Sequence, residues 1–206
     1  MGALLAVMTP LRLVNEALLT LGRAIGVFAV AAMVVAILIQ VFFRYVLNSA
    51  LPWPDEAARF CMMWMTGLMA PTAFKRGGFV AIDTLVRLLP QRIGALITLL
   101  LLFVSLGVLL VAVQIGWSEV TGFAGSFKTA SLQTFVAFGF ADGFPWITLD
   151  WGWEKMPRSQ MMASLLVGVA LLISVNVELI LRALVRMMGG GDELPPITLE
   201  EQVGAE

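Results

Sequence analysis

Long apolar runs divided by short polar segments are the dominant pattern of this chain. A bilayer core about 30 Å thick is crossed by roughly 20 apolar helical residues. Four runs reach that length: about Gly22 to Phe43, Glu56 to Phe74, Ile93 to Ile115, and Met161 to Leu181. Backbone polar groups at membrane depth are satisfied inside a single segment only when it is helical, so each run is predicted to be a transmembrane helix. Ahead of the first run, Leu11, Val14, Leu18 and Leu21 recur at helical spacing, with Arg12 and Glu16 on another face. That spacing predicts an interfacial helix or an extension of the first span. The expected fold is therefore all-α: an integral membrane bundle of four transmembrane helices over residues 1–188. An outer loop is expected at about 116–160. Residues 189–206 begin with three glycines and carry five acids and no base, which predicts a disordered, solvated cytoplasmic tail.

Composition supports a membrane protein. Hydrophobic residues make up 60% and charged residues 13% of the 206 positions, and the mean hydropathy is +0.93. A soluble domain could not hide that much apolar surface. Histidine is absent, which excludes His-ligated metal centres and His-based acid–base chemistry. The single cysteine, Cys61, excludes an intramolecular disulfide and reads as a small residue in an apolar run. A net charge of −1 argues against nucleic-acid binding, and no Gly-rich phosphate loop is present. No cofactor or metal is expected, and the chain is not expected to be an enzyme.

Four spans place both termini on one side. Arg12, Arg23, Lys75, Arg76, Arg87, Arg92, Arg182 and Arg186 fall on that side, and Arg44, Arg59, Lys128, Lys155 and Arg158 on the other. The excess of basic residues predicts cytoplasmic termini. The outer loop then faces away from the cytoplasm, and its many Phe and Trp residues suit packing at the bilayer interface or a docking surface for a soluble partner. Within the spans ionisable groups are few. Glu178 and Arg182 form an acid-first i,i+4 pair near the cytoplasmic end, where Arg182 can snorkel. Gly22 and Gly26 fit a GxxxG spacing for close helix approach, and Pro71 should bend the second helix or weaken its last turn.

Two polar clusters carry the remaining chemistry. The first lies between spans one and two. Pro54, Asp55 and Glu56 suit a helix N-terminus, Asp55 and Glu56 are spaced to pair with Arg59, Arg44 can reach either acid, and Trp53 is an interface anchor. The second follows span two. Lys75 and Arg76 read as topology anchors and lipid-headgroup contacts, Gly77-Gly78 permits a sharp turn, and Asp83 leads an amphipathic segment, Thr84–Leu89, closed by Pro90.

In order and spacing these clusters resemble the small membrane subunit of tripartite ATP-independent periplasmic (TRAP) transporters, the DctQ-type family. The resemblance rests on Phe43-Arg44-Tyr45, Asn48, Pro52-Trp53-Pro54-Asp55-Glu56, Trp64, and Lys75-Arg76-Gly77-Gly78-Phe79-Val80-Ala81-Ile82-Asp83. It is strongest from about Phe43 to Leu89. Phe79 stands where the family usually has His. The resemblance implies a bacterial inner-membrane subunit that joins a large multi-span permease. A periplasmic binding protein delivers a small solute, often an organic acid, and an ion gradient drives uptake. The small subunit scaffolds its partner. Arg44, Trp53, Asp55, Glu56, Arg59, Trp64, Lys75, Arg76, Gly77, Gly78 and Asp83 are then motif or partner-interface positions, with membrane lipid around them. The competing readings are a stand-alone small transporter, a membrane-embedded enzyme and a self-assembling four-helix scaffold.

Overall fold

The computed structural model describes residues 2–76, 91–122, 127–140 and 147–187. Four helices and one hairpin follow in the order α1 (Gly2–Tyr45), α2 (Trp53–Lys75), α3 (Gln91–Thr121), β1 (Lys128–Phe140), β2 (Ile147–Pro157) and α4 (Arg158–Met187). Three helices contain segments long and apolar enough to cross a membrane: Met8–Tyr45, Ile93–Thr121 and Arg158–Val185. The remaining helix, α2, is the most polar of the four. It packs against α1 on one side and α4 on another, and a helix shielded by its neighbours need not be apolar all round.

The helices follow the order α1, α2, α4, α3, with α4 touching all three others and α3 resting on α4. Much of α3 therefore stays uncovered, including Leu100, Phe103, Val104, Val108 and Val111. Such surface suits acyl chains, against which apolar side chains carry no penalty.

α1 runs unbroken through Pro10, so the N-terminal segment extends the first helix. Its buried positions are Met8, Asn15, Leu19, Gly22, Gly26, Ala29 and Ala36, which repeat with a seven-residue period. A seven-residue period keeps one seam facing a partner helix. Small residues in the seam bring the backbones close. A Cβ added at Gly22 would lie 3.3 Å from the Leu68 carbonyl oxygen, and one at Gly26 would lie 2.9 Å from Cγ of Met69. The GxxxG spacing thus operates as expected.

α1 ends where Val46 and Ser49 N–H groups donate to the carbonyls of Phe42 and Phe43. Asn48 there has φ 51°, a left-handed conformation that Asn tolerates better than most residues. α2 opens on Pro52 and Pro54 with Asp55 and Glu56 in its first turn, and it continues through Pro71 to Lys75.

One part of the all-α expectation is corrected. The segment between α3 and α4 carries a two-stranded antiparallel hairpin. Its central register pairs Val136 with Trp151, Phe138 with Leu149 and Phe140 with Ile147. Between Thr134 and Val136 the register shifts, so that β2 has two residues, Gly152 and Trp153, opposite Phe135. Gly152 has φ 156° at this bulge, a conformation that L side chains rarely adopt. The pairing is local, from Phe140–Ile147 out to Lys128–Pro157; its signal was the alternation of Val136, Phe138 and Phe140 and of Ile147, Leu149 and Trp151, which a search for span-length apolar runs passes over.

Candidate functional site

The chemistry of the described residues concentrates in two carboxylates, one at each end of α2. At the C-terminal end, Glu178 on α4 is fully buried (0% exposed), with Asn15 (1%), Arg182 (3%) and Lys75 (4%) around it. Its Oε2 accepts from Asn15 Nδ2 at 2.8 Å and Lys75 Nζ at 3.0 Å. Its Oε1 accepts from Arg182 Nη2 at 3.0 Å and Nε at 3.2 Å. Asn15 is held in turn by Ser174, whose hydroxyl donates to Asn15 Oδ1 at 2.6 Å. One carboxylate thus joins α1, α2 and α4. A buried charge persists only when it is paired and hydrogen-bonded, and four donors satisfy this one.

The level of this cluster follows from a neighbouring contact. Asn176 Nδ2 donates to Ser105 Oγ at 3.1 Å, and Ser105 lies near the middle of α3. Glu178 is about 3 Å further along α4 at 1.5 Å per residue. The cluster is therefore level with the centre of the apolar α3 helix and not with its end. Lys75 is buried in an ion pair and is not a headgroup contact, and Arg182 turns inward to Glu178 and does not snorkel. The physical reason is that Glu178, buried beside α2, places a carboxylate within hydrogen-bond reach of both cations inside the bundle.

At the N-terminal end, Glu56 in the first turn of α2 reaches the hairpin. Between the pairs Lys128–Pro157 and Gln133–Lys155, β1 has four residues where β2 has one. The excursion leaves N–H groups that β2 does not bind. Glu56 accepts from the N–H groups of Ala130 (3.0 Å), Ser131 (2.8 Å) and Leu132 (2.7 Å), and from the Ser131 hydroxyl at 2.6 Å. Thr129 closes the turn by donating to the Leu132 carbonyl at 2.9 Å. Successive N–H groups converging on an anion form a backbone nest. A second tie runs from the Arg158 N–H to the Phe127 carbonyl, at 2.8 Å. On the exposed hairpin edge Lys128 donates to Glu154 at 2.7 Å, and this hydrogen bond and the lysine charge hold the Glu154 carboxyl below its usual range.

The other expected positions divide clearly. Asp55 pairs with Arg59 at 2.7 Å as the i,i+4 spacing predicted, and the pair is exposed. Arg44 lies 5.9 Å over the Tyr45 ring and, among the described residues, pairs with neither acid. Trp53 is partly exposed at the mouth of α2. Trp64 donates to the Gln160 carbonyl at 3.2 Å, across to α4. Just below it, Gly67 and Gly168 let α2 and α4 touch backbone to backbone. A Cβ at Gly168 would lie 2.6 Å from the Gly67 carbonyl oxygen, and one at Gly67 would meet that of Ser164. Arg76 is exposed at the end of α2. Gly77, Gly78, Phe79 and Asp83, the amphipathic segment Thr84–Leu89 and the acidic tail lie outside the described residues.

Sequence reasoning missed Asn15, Ser131 and the role of Ser174. The one available signal was polarity: Asn15 interrupts the apolar seam of α1, and a buried Asn in such a seam needs a partner.

A row of apolar helices, tied by internal ion pairs and closed backbone contacts, defines a helical membrane protein whose buried charges serve its own architecture. The family model for the DctQ component of tripartite ATP-independent periplasmic transporters matches residues 33–186. The chain belongs to this family, a transporter-component family, and is a small permease subunit of the TRAP type. A search of curated proteins gave no match to the chain.

Proposed function

We propose that the chain scaffolds a large multi-span permease subunit in the bacterial inner membrane. In this reading α2 is a fourth span and both termini are cytoplasmic. A periplasmic binding protein delivers a small solute, an organic acid by preference, and an ion gradient drives its uptake through the large subunit. The observation that carries the scaffold role is the use of the buried charges. Glu178, Lys75 and Arg182 are bound to one another, whereas a substrate or ion pathway keeps ionisable groups facing a cavity. The motif positions then have two kinds of work. Glu56, Trp64 and Lys75 set the shape of the bundle from inside. Arg44, Trp53, Asp55, Arg59 and Arg76, followed by Gly77, Gly78 and Asp83, mark the two ends at which a partner is met.

Affinity purification of the chain from its native membrane in mild detergent, with mass spectrometry of what accompanies it, tests this function. A stoichiometric, larger and very hydrophobic partner is expected. Recovery of the chain alone, together with solute flux in liposomes from this chain alone, would replace the scaffold role by a self-sufficient transporter.

A further inference from the structure

Among the described residues, Arg23 of α1 has no counter-ion. Its Nε and Nη2 are closed off from solvent without a hydrogen-bond partner, and the ion pairs of the described residues do not include it. The acids of the four helices are committed elsewhere. Glu16, two turns away, pairs with Arg12, Asp55 pairs with Arg59, Glu56 is taken up by the hairpin turn, and Glu178 holds Lys75 and Arg182. Glu119 is on α3, at the other end of the row of helices. An arginine cannot shed its charge when buried, as a lysine can. Such a charge needs an opposite charge, which water does not supply.

The same helix contact holds a second unfinished polar group. Thr72 on α2 is 6% exposed, and its Oγ1 has no partner. Thr20, Thr66, Thr98 and Thr121 each donate to the carbonyl four residues back, and Thr72 does not. It stands one turn from Leu68, whose carbonyl lies against Gly22. Long side chains in a helix lean toward its N-terminus. For Arg23, in this antiparallel pair, that is the direction from Leu68 to Thr72.

Arg23 also keeps an open side. It is half-buried, and Nη1 is not among the closed-off atoms. Val27 and Val34, four and eleven residues on along the same face of α1, are 59% and 46% exposed. We propose that a transmembrane helix of the large permease subunit lies along this strip and gives Arg23 an Asp or Glu carboxylate. The guanidinium charge is delocalised, so one carboxylate at the open edge neutralises it. A lipid phosphate, the other anion a membrane offers, belongs at the rim of a bundle. Gly22 lies against Leu68, and Gly67 against Ser164, so α2 and α4 each continue about 9 Å or more past this level toward their nearer ends. Ionisable groups inside spans pair with one another. The inference rests on the scaffold reading and names the chemistry of one of its contacts.

The test compares the unchanged full chain with Arg23→Met and Arg23→Lys, each purified from its native membrane in mild detergent. Arg23→Met should recover at least about ten-fold less large subunit per chain, and Arg23→Lys should stay within about three-fold of the unchanged protein. The chain purified alone should melt no lower with Arg23→Met, because the side chain removed has no partner there. In the Arg23→Lys complex a lipid-soluble carbodiimide, which joins an amine to a carboxylate in contact with it, should cross-link position 23 to an Asp or Glu of the large subunit. Undiminished recovery of the large subunit with Arg23→Met would overturn the inference and leave the scaffold role standing. No large subunit beside the unchanged chain would remove both. Loss of bound phospholipid in place of the large subunit, seen by native mass spectrometry, would give Arg23 to a lipid phosphate. A lower melting point of the isolated Arg23→Met chain would make Arg23 part of the chain's own packing.

Discussion

The two ends of α2 solve the same problem with different materials. At the C-terminal end Glu178 is neutralised by side chains, Lys75 and Arg182, and steadied by Asn15. At the N-terminal end Glu56 is held by three backbone N–H groups and one hydroxyl, with no cation on it among the described residues. Glu178 is fully buried, where a bare charge is intolerable. Glu56 is only partly buried and faces a turn, where partial charges on the backbone suffice. Burial thus decides whether a carboxylate needs counter-ions or only donors. The two ties also differ in scope. Glu178 couples three helices, and Glu56 couples one helix to one hairpin.

The largest effect is expected from Glu178→Ala, which leaves two cations buried without their acid. Breaking a buried pair from one side costs about 3–5 kcal/mol, so the thermal midpoint of the purified chain or complex should fall sharply. Lys75→Met in the same assay should cost less, because Arg182 still neutralises Glu178. An equal loss would show that Glu178 depends on Lys75 alone.

Glu56→Ala should come next. Hydrogen bonds to charged groups contribute about 1.5–3 kcal/mol each at most, and the loss is confined to the hairpin base. Hydrogen exchange should quicken at Ala130, Ser131 and Leu132 while α1, α2 and α4 keep their protection. Faster exchange throughout the helices would mean that the two ends are one cooperative unit.

Gly168→Ala tests the contact between the ties. The added methyl meets the Gly67 carbonyl, which is backbone and cannot step aside, and overpacking of this kind costs about 1–3 kcal/mol. The smallest effect belongs to the exposed Asp55–Arg59 pair. Arg59→Gln should cost under about 1 kcal/mol in the same melting assay. Charge reversal at Arg59 should nevertheless weaken assembly with the large subunit or uptake if this end meets a partner. Normal complex yield and normal uptake would remove Arg59 from the interface.

Helices were legible because their signal is local. An apolar run of span length, a proline pair before two acids and an asparagine after an aromatic end each act within a few residues of themselves. The four helices, the GxxxG approach, the Asp55–Arg59 pair and the family motif were all readable in this way. The long-range partners were not. Nothing near Lys75 indicates that its ammonium turns to a glutamate 103 residues on, and nothing near Glu56 points to the N–H groups of residues 130 to 132. Asn15 is separated from Glu178 by 163 positions.

By itself, then, the sequence determined that this is a helical membrane subunit, because long apolar runs and backbone satisfaction in lipid leave no other solution for them. Only the tertiary structure decided which charges are buried, which helix is sheltered and that the aromatic loop folds into a hairpin. The first two depend on the packing of segments distant in the chain, and the hairpin on pairing between neighbouring strands whose ends are tied to helices. A carboxylate has no fate of its own until that packing places donors and cations around it.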